Sequence, residues 1–228
     1  MSASALHDSY PLPDAGQLPR FITIEGPIGV GKTSLARKLA STFNYQTLLE
    51  QADENPFLKD FYRNRSQHAL STQLFFLFQR AKQIQELRQN DLFEPIRVSD
   101  FLIEKDRLFA ELTLNEHELG LYQQVYDSLT IDAPQPDLVI YLQAPADTLM
   151  RRIQQRGIAA EQSIDRRYLE SLNEAYSQFF LYYDASPLLV VNAEQIDPVH
   201  NDRDFQQLVE YLPTVRRGRH YYNPSFFS

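Results

Sequence analysis

The stretch FITIEGPIGVGKTSLARKLASTF, residues 21–43, decides how the rest of the chain is read. Phe21-Ile22-Thr23-Ile24 is a β-rich run stopped by Gly26-Pro27, the pattern of a short strand running into a turn. Gly26 to Thr33 matches G-x-x-x-x-G-K-[ST]. From Lys32 onward, Leu35, Leu39 and Phe43 keep helical spacing. A glycine-rich loop between a strand and a helix can curl its backbone N–H groups inward around phosphate oxygens. The helix adds its N-terminal dipole. Lys32 supplies a cation to the β- and γ-phosphates, and the Thr33 hydroxyl can ligate Mg²⁺. Gly26, Gly29, Gly31, Lys32, Thr33 and Ser34 are therefore the candidate phosphate-binding residues. The chain has only 7 glycines, so three of them within six residues ask for such a reason.

Outward from this unit, short apolar runs alternate with helical patterns. Strands are predicted at 48–49, 96–98, 138–142 and 188–191. Helices are predicted at 67–90, 104–113, 115–130, 146–156, 165–183 and 202–212, with a short one opened by Asn55-Pro56. With the first strand this makes a five-stranded parallel α/β sheet with helices on both faces. Residues 1–19 lack periodicity and read as a flexible leader, so the folded domain spans 20–228. The tail 213–228 is aromatic and basic, and its packing does not follow from its pattern. At 228 residues the chain can bury roughly 70% of its unfolded surface in one core. It has no cysteine, which excludes disulfides and thiolate chemistry and fits the cytoplasm. A net charge of −8 matches nucleic acid poorly. No apolar run approaches ~18 residues, so no membrane partner is expected.

Several residues narrow the chemistry. No guanine-reading N-K-x-D is present, and the strand at 96–98 leads to a single acid, Asp100. Glu50 closes the second strand. Carboxyl ends of parallel strands converge on one crevice, so Glu50 and Asp100 should both face the phosphate site. One could take the proton of an acceptor hydroxyl and the other hold Mg²⁺. Arg152 and Arg156 share a helical face in an arginine-rich segment, about 150–167, broken at Gly157. A mobile arginine pair suits a lid over a transferring phosphoryl group. On the long helix, Gln73, Phe76 and Arg80 form a second stripe, which fits either a solvated face or the grip on a nucleobase. The leucine stripe of that helix fits either core or a helix–helix dimer seam.

This constellation resembles the deoxynucleoside kinase family over about residues 21–211. The resemblance implies a P-loop nucleoside triphosphate hydrolase-like fold, commonly dimeric. The implied activity is transfer of the γ-phosphoryl of ATP to the 5′-hydroxyl of a deoxynucleoside, in nucleotide salvage, with Mg²⁺. Glu50 then corresponds to the general base, Tyr62 to the tyrosine on the sugar 3′-hydroxyl and Gln73 to the base-reading glutamine. Arg80 and Asp106 match the pair of members that accept purines or deoxycytidine rather than thymidine. Phe76 flanks the base. Arg152 and Arg156 match the catalytic lid arginines in R-x-x-x-R-G, and Glu161 the lid glutamate beside Tyr62. Asp100 is the acid near Mg²⁺. Two features depart from the pattern. The acid-Arg-Ser of the family reads Asp100-Phe101-Leu102, leaving Lys105 and Arg107 as candidates for the missing cation, between which helical spacing does not choose. The stacking phenylalanine falls one residue early, at Phe109. A nucleoside-monophosphate kinase and a nucleotide-binding protein without catalysis are the rival readings.

Overall fold

A computed structural model of the chain describes residues 13, 18–90, 96–129 and 133–223. Strand β1, Phe21–Glu25, runs through the glycine loop into helix α1, Lys32–Phe43. Strand β2 is Gln46–Leu48 and β3 is Arg97–Ser99. Between them lie the short α2, Leu58–Arg63, and the long α3, Arg65–Asn90. Helices α4, Asp106–Thr113, and α5, Glu116–Ser128, precede strand β4, Leu138–Gln143. Helices α6, Ala146–Arg156, and α7, Arg166–Tyr182, lead to β5, Leu188–Asn192. Helix α8, Asp202–Tyr211, and strand β6, Arg219–Tyr222, follow.

The sheet has six strands in the order β2-β3-β1-β4-β5-β6, and every pairing is parallel. This corrects the expected five strands: the sixth is Arg219–Tyr222, in the tail. It pairs Leu188 with Arg219 and Val191 with Tyr222. Its sequence, RHYY, has neither alternation nor an apolar run, so only the edge of β5 makes it a strand. The Arg219 guanidinium donates to the carbonyls of Phe180 and Leu181 at the end of α7, which fixes the register from outside the ladder.

Val139, Ile140, Val191 and Leu189 are fully buried because helices cover both faces of the sheet. On one face β4 stacks Tyr141 on Phe180, with ring centroids 4.2 Å apart. Leu77, Ala81 and Ile84 of α3 are buried, while Leu70 and Leu74 pack on the cluster of Leu77, Ala110 and Tyr122. The leucine stripe is thus core within the chain. The leader reading falls largely on residues 1–12 and 14–17, outside the described residues; Leu18, which it included, is buried. Among the described residues no helix is long and apolar enough to cross a membrane.

Side chains cap the starts of α5, α7 and α8. Asn115 and Glu118 form a reciprocal capping box on α5, and Asp165 caps α7 through the Tyr168 N–H. At the start of α1 the cap position is Gly31, with no side-chain cap bond. Uncapped N–H groups at a helix start are suited to an anionic ligand.

Candidate active site

The glycine loop needs its glycines for space as well as for conformation. Gly26 has φ +147° and lies so near β4 that a Cβ there would be 2.4 Å from the Leu142 carbonyl oxygen. Gly29, at φ +83°, would place a Cβ 2.8 Å from Ile153 of α6. Lys32 folds back over the loop and donates to the carbonyls of Gly26, at 2.8 Å, and Pro27, at 3.3 Å. Burial and the neighbouring Lys105 lower its pKa, against the carboxylates of Glu25, Glu50 and Asp100.

The ends of β1, β2 and β3 meet here as expected. Asp100 Oδ2 accepts from the Thr33 hydroxyl, and its Oδ1 accepts from the Glu50 N–H at 2.7 Å. One carboxylate therefore ties the start of α1 to the residue that closes β2. Burial raises the Asp100 pKa, against its bonds from Thr33 and the Glu50 amide. Thr33 and Asp100 are hard oxygen donors of the kind Mg²⁺ takes together with phosphates and water. No group of three or more His, Asp or Glu able to hold a metal is found among the described residues. This donor set fits a metal that arrives with phosphates and does not form an all-protein cage.

Two clefts open from the loop. The first, about 450 Å³, is lined by Gly31 and Ser34 together with Arg152, Asp197, Pro198 and His200. Arg152 does not reach over the second cleft. Its guanidinium donates to the carbonyls of Val30, at 3.3 Å, and Ala193, at 2.7 Å. It braces the glycine loop against the segment after β5. Arg156, one turn on, lines both clefts and pairs with Glu161 at 2.5 Å. Helix α6 stops immediately after it because Gly157 takes the left-handed conformation, φ +68°. Arg166, also in this segment, faces away and pairs with Asp147 and Glu170.

The second cleft, about 150 Å³, gathers Glu50, Tyr62, Gln73, Phe76, Arg80, Phe109 and Glu161 from five separate stretches of chain. The stripe on α3 is therefore a cleft wall and not a solvated face. Gln73 is buried, and its amide donates to the Thr113 hydroxyl at 3.3 Å. That hydroxyl is held in turn by the Phe109 carbonyl at 2.6 Å, so α4 orients the glutamine. Arg80 lies 5.3 Å from the centre of the Phe76 ring. Burial, together with Tyr168 and Glu161, raises the Tyr62 hydroxyl well above its ordinary pKa, so it stays protonated and can donate a hydrogen bond. Phe109 lines the cleft, with its ring edge-on to Tyr176.

Arg80 does more than the spacing indicated. Its guanidinium holds Asp106 through one terminal nitrogen and Glu50 through the other. Asp106 is not among the residues lining the cleft; it is 2% exposed and acts on the cleft through Arg80. Burial alone would raise the Glu50 carboxyl, but Arg80, Lys105 and Lys32 outweigh it and hold the pKa down at about 2. Glu50 is thus ionised and held in place. Of the two candidates for the missing cation, Lys105 lines this cleft, whereas Arg107 is exposed on α4 beside Glu111. Sequence reasoning overlooked Glu25. It is the acid that ends β1, fully buried, and it accepts from Gly26 N–H, Leu102 N–H and the Tyr176 hydroxyl. The signal was available: an acid closing an apolar strand directly before a phosphate loop.

A family model described as deoxynucleoside kinase matches residues 22–215. The chain is 36% identical over 198 residues to a deoxyguanosine kinase of Bacillus subtilis, covering 84% of this chain and 95% of that one. It is 31% identical over 194 residues to a deoxyadenosine kinase of Lactobacillus acidophilus, covering 79% and 88%. A solved deoxyadenosine kinase from M. mycoides, with dATP bound, superposes with a TM-score of 0.72 at 24% identity, covering 84% and 98%, and supports the fold. A phosphate loop opening onto a cleft with a buried Arg–Asp pair, and a family match over nearly the whole described fold, lead to one conclusion: the chain belongs to the deoxynucleoside kinase family.

Proposed function

We propose that the protein transfers the γ-phosphoryl group of ATP to the 5′-hydroxyl of a deoxynucleoside, with purine deoxynucleosides or deoxycytidine preferred over thymidine. The observation that carries this reading is the Glu50–Arg80–Asp106 chain in the small cleft. It sets an ionised carboxylate at the phosphate loop and a fixed arginine where a nucleobase would lie. ATP occupies the larger cleft, its phosphates on the loop amides and the start of α1. Thr33 and Asp100 would hold Mg²⁺, which supplies charge neutralisation on the phosphates when bound.

The acceptor enters the small cleft with its base between Gln73, Arg80 and the rings of Phe76 and Phe109. Tyr62 and Glu161 take the 3′-hydroxyl. Glu50 accepts a hydrogen bond from the 5′-hydroxyl and takes its proton as the bond from the 5′-oxygen to the γ-phosphorus forms. The bond from that phosphorus to the bridging oxygen breaks, and ADP leaves. A carboxylate held near pKa 2 is a weak base. A loose phosphoryl-transfer transition state asks mainly for placement and charge, which Lys32 and Arg156 also supply.

Three of the four cations lining the small cleft, Arg80, Lys105 and Arg156, are already paired with carboxylates. A monophosphate acceptor would meet little free positive charge there, so a nucleoside is the better fit. The test is incubation with MgATP and each common deoxynucleoside, ribonucleoside and monophosphate. Phosphorylation of a deoxynucleoside, abolished or nearly so by Glu50→Gln, is the expected result; turnover of monophosphates alone would overturn the reading. A homodimer belongs to the same proposal, and light scattering that reads twice the mass of one chain would support it.

A further inference from the structure

The loop after β3 turns two apolar side chains into the core before the chain comes back to the cleft. Phe101 and Leu102 are both buried in the core. A single 3-10 turn, Ile103–Lys105, then returns the chain to the cleft. Lys105 is 2% exposed, and its ammonium lies 3.1 Å from Glu25 Oε1 and 5.4 Å from the centre of the Phe109 ring. A lysine is rarely buried to this degree unless something holds its charge.

Glu25 is an unusually rigid anchor for it. The acid is fully buried and receives the Leu102 N–H at 2.7 Å, the Gly26 N–H at 3.1 Å and the Tyr176 hydroxyl at 3.1 Å. The same carboxylate thus ties the first residue of the phosphate loop, the loop after β3 and Lys105 into one unit. A shift of any one is felt by the other two. Lys105 also lines the same cleft as Lys32 and Glu50, so its ammonium faces both ends of the transfer site.

Arg80 cannot supply this function alone. It is shared between Glu50 and Asp106, and a nucleobase would compete for the same guanidinium. Lys105 has a carboxylate of its own: it pairs with Glu25 and with neither Glu50 nor Asp106, so its placement does not depend on how Arg80 is shared.

We propose that Lys105, anchored by Glu25, is a positioning residue of the transfer site, holding Glu50 and the phosphate loop in register. The proposal rests on the reading of Glu50 and the acceptor hydroxyl given above. It is tested by steady-state kinetics of the wild type and Lys105→Met with MgATP and the best acceptor among deoxyguanosine, deoxyadenosine and deoxycytidine. Loss of one preorganised charge in such a site lowers kcat by roughly 10²–10³-fold. The KM values for nucleoside and MgATP should stay within about threefold, because the binding contacts remain. Lys105→Arg should recover at least about tenfold of the lost kcat, since it restores the charge, whereas a purely structural role would not separate arginine from methionine in kcat alone.

Lys105→Met leaves Glu25 buried without its cation and can fail to fold. The double variant Glu25→Gln with Lys105→Met removes both charges, avoids that penalty and should show the same loss of kcat. A kcat within about threefold of wild type in either folded variant, or a loss confined to KM, would overturn the proposal. A wild type that phosphorylates none of the three acceptors would instead overturn the functional reading, and this proposal with it.

Discussion

Replacing Arg80 with methionine should be the most destructive single change in the acceptor cleft, and its size follows from the burial of what it leaves behind. The Arg80 guanidinium holds Asp106, 2% exposed, and Glu50, whose side chain is 21% exposed. Methionine keeps most of the stem but strands the buried Asp106 and leaves Glu50 with only the more distant charges of Lys105 and Lys32. Breaking a buried pair by removing one partner costs about 3–5 kcal/mol, because the other charge stays buried without compensation. For a chain of this length that is a fall in Tm of roughly 6–20 °C. The Asp106→Asn variant leaves Arg80 paired with Glu50 and should cost less. The double variant, Arg80→Met with Asp106→Asn, should be more stable than Arg80→Met alone, with a coupling of about 1–3 kcal/mol in the cycle. Urea unfolding of the four proteins at pH 7, followed by circular dichroism, measures this. If Arg80→Met lies within about 1 kcal/mol of the wild type, or the two changes simply add, the guanidinium is not the buried keystone its contacts indicate.

Other outcomes follow from the same geometry. Because the Glu50 pKa is depressed in the folded state, its contribution is present above the ordinary value of 4.5 and is lost as pH falls toward about 2; at most about 3 kcal/mol is involved. Glu50→Gln should therefore flatten the acid side of the stability profile, and an unchanged loss of urea midpoint between pH 5 and pH 3 would contradict this. Gly26→Ala drives a Cβ into the Leu142 carbonyl and should abolish ATP binding by calorimetry. Gly157→Ala, where a Cβ meets nothing within 4 Å, should cost only about 1 kcal/mol from its positive φ. Asp100→Asn should raise the Mg²⁺ concentration needed for half-maximal turnover by about tenfold, read from a Mg²⁺ titration at saturating ATP.

The fold was legible where one physical signal dominated. The run at 138–142 is apolar throughout because both faces of β4 are covered, and Leu138–Gln143 is a strand. The α6 prediction, 146–156, matches the observed helix because Gly157 ends it in a left-handed residue. Strand β6 was not legible, since RHYY becomes a strand only against the open edge of β5. The cleft shows the same division. Spacing along one helix placed Gln73, Phe76 and Arg80 on a common stripe, because helical periodicity is local, but that the stripe walls a cleft depends on α2, α4 and the segment at 161 packing over it. That Arg80 reaches Glu50 as well as Asp106 could not be read, because the contact joins α3 to the end of β2, 30 residues away. Nor could spacing choose between Lys105 and Arg107: the 3-10 turn before α4 changes the rotation per residue, so the two point to opposite environments.

The position of β6 at the edge of the sheet bears on how the folded chain stays apart from its copies. Strands β1 to β5, the glycine loop and α1 all precede residues 219–222 in the chain. Without residues 219–222 the outer edge of Leu188–Asn192, an apolar strand, has no hydrogen-bonding partner on that side. Unpaired edges of this kind template contacts with other chains. A chain cut before Arg219 would keep every residue of the nucleotide site yet carry an adhesive flank, so resistance to aggregation rests on four residues remote from the chemistry.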